Sequence, residues 1–191
     1  LENDSFSKQY HRKVGFIFQD SDVQLFCSSV WDEIAFGPLQ MGLSEQEVIK
    51  RVEDVIEMLG LGTMRDRPPY RLSGGEKKKV AIASVLVTNP DVFILDEPTN
   101  GLDPKSQRWL VNLLMQLNMA GKTIITSTHN LELVQEISSR IIVFSESHQI
   151  AADGKTNEIL DNKELLINVN LIDEYYHKHG GQHSHYHIHN Y

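Results

Sequence analysis

The sequence predicts an α/β fold, in which a parallel β-sheet forms the core and a mostly helical segment is inserted. Residues 92–95 are continuously apolar, as expected for a strand buried on both faces of a parallel sheet. Residues 123–128 are rich in β-branched side chains and predict a second strand. Between them, apolar residues recur at helical spacing after Asp103 and Pro104. This strand–helix–strand order is typical of parallel sheets.

Local signals predict the elements that precede this unit. A short apolar run over residues 14–18 predicts a strand, which ends at a cluster of polar turn residues. Ser44 and Glu47 predict a capping box that opens a helix, and Gly60 is a natural end for that helix.

A second helix is predicted from Ser73, which forms a capping box with Glu76, through Leu86. The remaining predicted elements are a short mixed segment over residues 31–36 closed by Gly37 and Pro38, a helix over residues 131–137, and a strand over residues 141–144.

Composition limits the class of protein. The 191 residues carry 18 Lys and Arg against 26 Asp and Glu, a net charge of −8, and 40% are hydrophobic. These values exclude a disordered, collagen-like or coiled-coil chain. A single cysteine, Cys27, excludes a disulfide framework and a cysteine-rich zinc site. No apolar run approaches the roughly 18 residues that span a bilayer.

We predict four segments along the chain. Residues 1–27 end the first part of the core, and residues 28–88 form the inserted helical subdomain. Residues 89–160 complete the core, and residues 161–191 form a C-terminal extension.

An acidic pair, Asp96 and Glu97, directly follows the predicted strand over residues 92–95. Ligands of parallel sheets bind at the carboxyl ends of the strands. One acid there can hold Mg²⁺, which prefers oxygen ligands and keeps part of its hydration shell. The other acid can orient an attacking water molecule. Taken alone, the pair is equally compatible with a solvated turn.

The segment Leu-Ser-Gly-Gly-Glu over residues 72–76 combines a helix cap with two glycines. Each glycine costs about 1 kcal/mol of helix stability relative to alanine, and a plain cap does not require them. Glycines do let main-chain N–H groups approach an anion at the positive end of a helix. We therefore predict a phosphate contact at Ser73, Gly74 and Gly75.

Three further residues are candidates because of where they lie along the chain. His129 ends the predicted strand over residues 123–128, from which it can reach the same site as Glu97. Gln19 ends the first predicted strand, where its amide either contacts a metal or water or makes only a loop hydrogen bond. Asp103 is a predicted helix N-cap and follows the acidic pair closely.

The order and spacing of these five motifs, over about residues 13–160, resemble the ATP-binding-cassette (ABC) transporter ATPases. The matching positions are Gln19 for the Q-loop, residues 72–76 for the signature sequence, residues 92–96 for Walker B with Glu97 as the catalytic base, residues 101–103 for the D-loop, and His129 for the switch histidine.

The local sequence around the first predicted strand indicates a particular type within this family. Residues 14–26 and 35–38 are similar to cassettes of cobalt, nickel and vitamin importers of the energy-coupling-factor type. The resemblance implies a P-loop-NTPase-like sheet with an inserted helical signature subdomain. Glu76 and Lys79 stand where many relatives have Gln and Arg, and both substitutions retain polar or cationic character.

The resemblance also implies ATP and Mg²⁺ as cofactors, and two copies that face each other head to tail. Asp96 would hold Mg²⁺, and Gln19 would contact the metal and report the state of the site to a membrane partner. Glu97 would polarise the attacking water, and His129 would orient it. Further nucleotide contacts would come from Ser73, Gly74, Gly75 and Asp103.

No Gly-x-x-x-x-Gly-Lys-Ser/Thr motif, the P-loop, occurs in the 191 residues. The nearest match, residues 154–156, lacks the first glycine, because position 149 is Gln149. This loop supplies the main-chain cradle, the lysine and a hydroxyl for Mg²⁺, so we expect the chain alone to bind ATP very weakly. We expect the motif upstream of Leu1, in a cassette truncated here at its N-terminus. The alternative is a degenerate subunit that lends its signature motif to a partner's P-loop.

The partners implied are a second ABC ATPase subunit, identical or different, and an integral membrane subunit. The protein would then lie at the cytoplasmic face of the membrane. DNA-repair and chromosome-organising ATPases share the signature, but they carry a long coiled coil that residues 28–72 cannot supply. Since the net charge is −8, no nucleic-acid partner is expected.

The end of the chain is rich in histidine. Neutral imidazoles bind Ni²⁺, Co²⁺, Cu²⁺ and Zn²⁺, so we predict transition-metal binding here, in line with a nickel or cobalt cargo. The alternatives are an imperfect purification tag or a solvated tail. The six histidines are His177, His179, His183, His185, His187 and His189.

Overall fold

A computed structural model describes residues 12–172 of the chain. These residues fall into two compact units, divided between Ile137 and Ser138. The segment boundaries predicted from the sequence remain predictions.

The first unit contains a three-stranded parallel sheet. Its strands are β1 (Val14–Ile17), β2 (Val92–Asp96) and β3 (Thr123–Ser127), in the order β1-β2-β3. Leu95 pairs with Ile17 on one side and with Thr126 on the other, so the three strands end at one edge. The predicted parallel sheet and its three strands are confirmed.

The two faces of this sheet differ in burial. Ile17, Phe93 and Leu95 are fully buried on one face. On the other face, Phe16 is 42% and Ile125 is 52% exposed. The prediction that residues 92–95 are buried on both faces is therefore wrong for the second face within residues 12–172, because alternate side chains there lack a complete covering layer.

Helices dominate the segment between β1 and β2, as predicted. They pack around a shared core whose fully buried members include Ile34, Val52 and Val80. The elements are α1 (Ser21–Gln24), α2 (Val30–Gln40), α3 (Glu45–Leu59) and α4 (Gly74–Leu86), with short 3₁₀ turns at Gly62–Met64 and Pro69–Arg71.

Helix α2 corrects one prediction, because it continues through Gly37 and Pro38 instead of ending there. Ser29 caps its start by accepting the Asp32 amide at 3.1 Å. Proline inside a helix removes one hydrogen bond. Here Pro38 is buried with Ile34 on the inner face of the helix, and this packing outweighs the local signal to stop.

Helix α3 has the predicted limits but only half of its predicted capping box. Ser44 Oγ accepts the Glu47 amide at 3.4 Å. The Glu47 carboxylate instead pairs with Arg51, one turn further on, at 2.7 Å. Gly60 ends the helix with a left-handed φ of 66°, the conformation that glycine adopts at lowest cost.

Helices α5 (Pro104–Met119) and α6 (Leu131–Ile137) complete the first unit, at the positions predicted. The second unit contains β4 (Arg140–Phe144), β5 (Ile150–Lys155), α7 (Thr156–Leu160) and α8 (Lys163–Asn168). Strand β4 confirms the strand predicted over residues 141–144, but it lies outside the parallel sheet and pairs antiparallel with β5. The connection over residues 145–149 is too short for a parallel crossover.

Candidate functional site

The carboxyl ends of β1, β2 and β3 place the predicted catalytic residues along one edge of the sheet. Asp96 is the last residue of β2 and is paired with Ser127 at the end of β3. Glu97 and His129 follow these strands, and Gln19 follows β1 by two residues. Parallel strands thus bring together residues that are far apart in sequence, as the position of ligand sites in such sheets requires.

Asp96 is half-buried and accepts a hydrogen bond from Ser127 Oγ on its Oδ1 atom. A carboxylate has about four acceptor sites, so this bond leaves capacity for a cation. Within residues 12–172, no group of three or more His, Cys, Asp and Glu side chains could hold a metal ion. A single carboxylate with free acceptor sites, as at Asp96, fits Mg²⁺, which is usually held by one or two carboxylates together with water and substrate phosphates.

Glu97 is bound on both carboxylate oxygens by the segment that follows β3. Its Oε2 accepts from Thr128 Oγ1 at 3.0 Å. Its Oε1 accepts from the His129 amide at 3.1 Å and lies 2.7 Å from His129 Nδ1. The Glu97 side chain is 19% exposed, whereas that of His129 is 78% exposed. The structure therefore brings these two predicted catalytic residues into direct contact, with the histidine on the solvent side.

This contact has a consequence for the His129 ring. When the imidazole is neutral, Nδ1 carries the proton that is donated to Glu97, and Nε2 remains an acceptor. A carboxylate that orients a histidine in this way fixes its tautomer, which suits a ring that must position a second polar group.

The main chain at Glu97 is held in an unusual conformation, with φ of 39°. A non-glycine residue in this left-handed region costs of order 1–3 kcal/mol. The Glu97 amide donates to the Ser127 carbonyl at 2.9 Å, which holds the strained turn against β3. This turn directs the Glu97 side chain towards Thr128 and His129.

The start of α4 forms the predicted capping box in full. The Ser73 amide and Ser73 Oγ both donate to Glu76 Oε2 at 2.8 Å, and the Glu76 amide donates back to Ser73 Oγ at 3.4 Å. The hydrogen bonds from the Ser73 amide and hydroxyl hold the pKa of Glu76 below its ordinary value.

The two signature glycines have different structural requirements. A Cβ atom at Gly74 would meet nothing within 4 Å, so packing within the chain does not require a glycine there. A Cβ atom at Gly75 would lie 2.9 Å from Ser106 Oγ on α5. A phosphate contact is thus needed only to explain Gly74, because close packing already accounts for Gly75.

Asp103 caps α5, as predicted, and lies beside the start of α4. Its Oδ1 accepts the amides of Lys105 and Ser106 at 3.0 and 3.1 Å, and its Oδ2 accepts from Ser106 Oγ at 2.6 Å. The Ser106 hydrogen bonds lower the pKa of Asp103. The D-loop residue and the signature glycine Gly75 are therefore neighbours within one chain, and a nucleotide contact at Asp103 remains a prediction.

Gln19 is exposed, and its main-chain carbonyl accepts from Lys78 Nζ at 2.8 Å. The contact of Gln19 with Mg²⁺ remains a prediction. Lys79, one of the two departures from the family pattern, places its ammonium 4.8 Å from the Trp109 ring centroid, a cation–π distance.

Three residues of this site are not predicted from the sequence. Ser127 and Thr128 bind the two acids through their hydroxyl groups, and the signal for them was a pair of hydroxyl residues directly before His129. Lys78 was missed although it occupies a core-facing position of α4, three and four residues before the buried Ala81 and Ile82.

The six C-terminal histidines, 177 to 189, lie outside the described residues. The predicted metal binding at this tail remains a prediction. Among the helices that the structure describes, none is both long and apolar enough to cross a membrane.

Comparison with known proteins shows the family of this chain. A family model described as ABC transporter matches residues 2–100. An ABC transporter ATP-binding protein of Methanosarcina acetivorans is 53% identical over 94% of this chain and 65% of its own length. The nickel import ATP-binding protein LarO of Lactiplantibacillus plantarum is 49% identical over 76% of this chain and 61% of its own length.

Two further matches cover most of this chain. The energy-coupling factor transporter ATP-binding protein EcfA2 of Methanospirillum hungatei is 46% identical over 86% of this chain and 41% of its own length. Among solved structures, cbiO1 from Clostridium perfringens, described as part of the ABC transporter complex cbiONQ, is 37% identical with a TM-score of 0.74. That match covers 88% of this chain and 67% of the cbiO1 chain.

The chain thus spans less than two thirds of the length of all three of these curated relatives. The fold, the motif order and the family match lead to one identification: this chain belongs to the ABC transporter family and has a P-loop-NTPase-like fold.

Proposed function

We propose that the whole protein is the ATP-hydrolysing subunit of an ABC importer for nickel or cobalt ions. The observation that carries the hydrolytic role is the position of Glu97 between Thr128 and His129, beside Asp96 at the carboxyl edge of the sheet. A carboxylate held in this way can accept a proton from water while a neighbouring imidazole orients the reacting groups.

Each residue has a proposed role in hydrolysis. Asp96 would hold Mg²⁺, which neutralises phosphate charge when it is bound. Glu97 polarises the attacking water, and His129, oriented by Glu97, positions that water and the terminal phosphate. Gln19, in the loop that follows β1, would contact the metal. Catalysis then consists of positioning and charge stabilisation.

The start of α4 supplies the second half of the proposed site. Its first-turn amides have no carbonyl partner within the helix and lie at its positive end. We infer that Ser73, Gly74 and Gly75 contact the nucleotide held by an opposite cassette, with Asp103 beside them. Proteins of this family act as dimers, and the open space at Gly74 supports this role.

The 191-residue chain by itself is proposed to bind ATP very weakly, since its sequence contains no P-loop. A degenerate subunit that lends only its signature motif to a partner is the second candidate. Mass spectrometry of the natural protein distinguishes the two. A P-loop in the natural protein supports the catalytic subunit and contradicts the degenerate one.

Exposed apolar side chains near Gln19 support a membrane partner. Phe26 is 67% and Val23 is 73% exposed, and Phe26 packs edge-on against the partly exposed Phe36 with ring centroids 4.9 Å apart. Exposed apolar clusters commonly mark protein contacts. We propose that this cluster binds the integral membrane subunit, which would place the protein at the cytoplasmic face of the membrane.

A nickel cargo is supported by the name of the relative LarO, and the histidine-rich end of this sequence supports a transition-metal cargo such as nickel or cobalt. Calorimetric titration with Ni²⁺ and Co²⁺, with and without residues 177–191, tests metal binding by this tail. Equal heats from the two proteins would contradict that binding, while transport of radioactive nickel by the assembled importer tests the cargo.

The catalytic role of Glu97 is tested in the whole protein by Glu97→Gln. This variant keeps the shape of the side chain and one acceptor oxygen but loses the base, so we expect ATP to bind normally and turnover to fall at least about 100-fold. The matched control is Glu132→Gln, a surface carboxylate in the first turn of α6. Hydrolysis by Glu97→Gln at the wild-type rate would overturn the proposed mechanism.

A further inference from the structure

Lys78 is a charged residue of α4 whose side chain is turned into the protein. Only 3% of its surface is exposed. Its Nζ atom donates to the main-chain oxygen of Phe18 at 3.0 Å and to that of Gln19 at 2.8 Å. These are the first two carbonyls after β1. We call residues 18–20 the Gln19 loop. One ammonium group on α4 therefore hydrogen-bonds this loop at two adjacent carbonyls.

Packing alone does not explain a lysine at this position. An ammonium group is costly to bury unless it is hydrogen-bonded and close to opposite charge. Burial lowers the pKa of Lys78, whereas the charges of Asp20 and Asp96 act in the opposite direction. An aliphatic side chain would fill the same space without this cost, so the two carbonyl bonds are the feature that the lysine provides.

Neighbouring contacts strengthen the link between the Gln19 loop and α4. Gln24 accepts the Phe18 amide at 3.1 Å and donates to the Ala81 carbonyl of α4 at 3.0 Å. Lys77 pairs with Asp22 at 2.6 Å. Asp22 is 65% exposed, and water weakens such an ion pair. Of the four side chains that make these contacts, Lys78 is buried, Gln24 and Lys77 are half-buried, and Asp22 is exposed.

We propose that Lys78 is a positioning residue, which holds the Gln19 loop at a fixed position relative to the start of α4. A change in the contacts of Gln19 then moves residues 73–75, because Lys78 lies about 1.4 helical turns beyond Ser73 and a helix is stiff over that length. This inference rests on the proposed function, in which Gln19 and residues 73–75 contact nucleotide sites. In this proposal Lys78 touches neither nucleotide nor metal, and it acts through Gln19.

The test compares Lys78→Met with Lys78→Arg in the whole protein. Lys78→Met keeps the length of the side chain but removes both donors. Without nucleotide, we expect amide hydrogen exchange of residues 18–24 to accelerate at least about tenfold, the effect of losing two hydrogen bonds that hold the segment closed. Lys78→Arg retains donors and is expected to restore protection.

Lys77→Met is the matched control, because it removes a neighbouring cation that pairs with the exposed Asp22. We expect less than about a twofold change in exchange from this variant. Thermal unfolding checks that each variant is folded. If Lys78→Met does not fold, Lys78→Gln, which keeps one amide donor group, is measured in its place.

A second measurement tests whether a change at the Gln19 loop reaches residues 72–76. In the wild-type protein, ATP is expected to protect residues 72–76 from exchange, and Lys78→Met is expected to lose that protection while Lys78→Arg keeps it. Unchanged exchange of residues 18–24 in Lys78→Met would overturn the inference, whatever happens to hydrolysis. If the wild-type protein does not hydrolyse ATP, the proposed function fails, and exchange of residues 18–24 still decides whether Lys78 positions the loop.

Discussion

Two glutamates, Glu76 and Glu33, each accept main-chain amides but lie in contrasting surroundings. Glu76 closes the capping box near the surface. Glu33 is 3% exposed, and its Oε2 accepts the amides of Phe26 and Cys27 at 2.9 and 2.7 Å. At the residue scale, Glu76 makes folding stability depend on pH, and Glu33 affects the reactivity of the Cys27 thiol.

Glu76 makes folding stability depend on pH in the acidic range. Its pKa is lowered below 4.5 in the folded protein, so its contribution is complete above the unfolded value and is lost as pH falls through the lowered pKa. We expect Glu76→Gln to show a smaller fall in melting temperature than wild type as pH drops below 4.5. Parallel melting curves for the two proteins across that range would contradict this role.

Cys27 is predicted to react slowly with alkylating agents. Burial raises its pKa to about 11, with Glu33 adding to the effect through its charge and a hydrogen bond. At pH 8 the thiolate is scarce, and after allowing for the greater nucleophilicity of a more basic thiolate we expect alkylation about tenfold slower than for a free cysteine. Iodoacetamide kinetics measured by mass spectrometry check this, and Glu33→Gln is expected to accelerate the reaction.

At the scale of elements, a close approach between β1 and α4 holds the sheet against the helical segment. A Cβ atom at Gly15 would overlap Val85 Cγ1 and lie 3.0 Å from Pro90 Cγ. We expect Gly15→Ala to destabilise the fold by about 1–3 kcal/mol, the usual cost of overpacking, measured by urea unfolding. Gly62→Ala is the control, since a Cβ atom there would meet nothing within 4 Å.

A compensating substitution sharpens that test. Val85→Ala removes the atom that Gly15→Ala would overlap, so the double variant is expected to be more stable than the sum of the two single effects. Strict additivity would show that steric overlap is not the cause.

At the scale of the whole molecule, the exposed aromatic pair Phe26 and Phe36 is the surface expected to meet the membrane subunit. Phe26→Asp places a charge in that contact, so we expect co-purification with the membrane subunit to fall at least about tenfold, as for the loss of an aromatic anchor. Basal ATP hydrolysis by the isolated dimer should persist. Met58→Asp, which alters a 65% exposed side chain on α3, is the control and should leave assembly intact.

Much of the fold was predictable because its signals are local. The strand over residues 92–95, the capping box at Ser73 and the N-cap at Asp103 each depend on residues within one or two turns of the chain. Some predictions failed because packing or a short connection between strands outweighed the local pattern. Pro38 lies inside α2 because it is buried there, and β4 pairs with β5 because a short connection permits only an antiparallel hairpin.

The sequence by itself determined the family and the order of the motifs, since these are properties of residue type and spacing. Only the tertiary structure decided how distant residues meet. It placed Glu97 against His129, Gly75 against Ser106, and Lys78 against Gln19. The two residues in each pair are about 30 to 60 positions apart, and no local pattern encodes such contacts. They arise when parallel strands end at one edge and α4 packs beside β1, which buries the lysine on the carbonyls of the Gln19 loop.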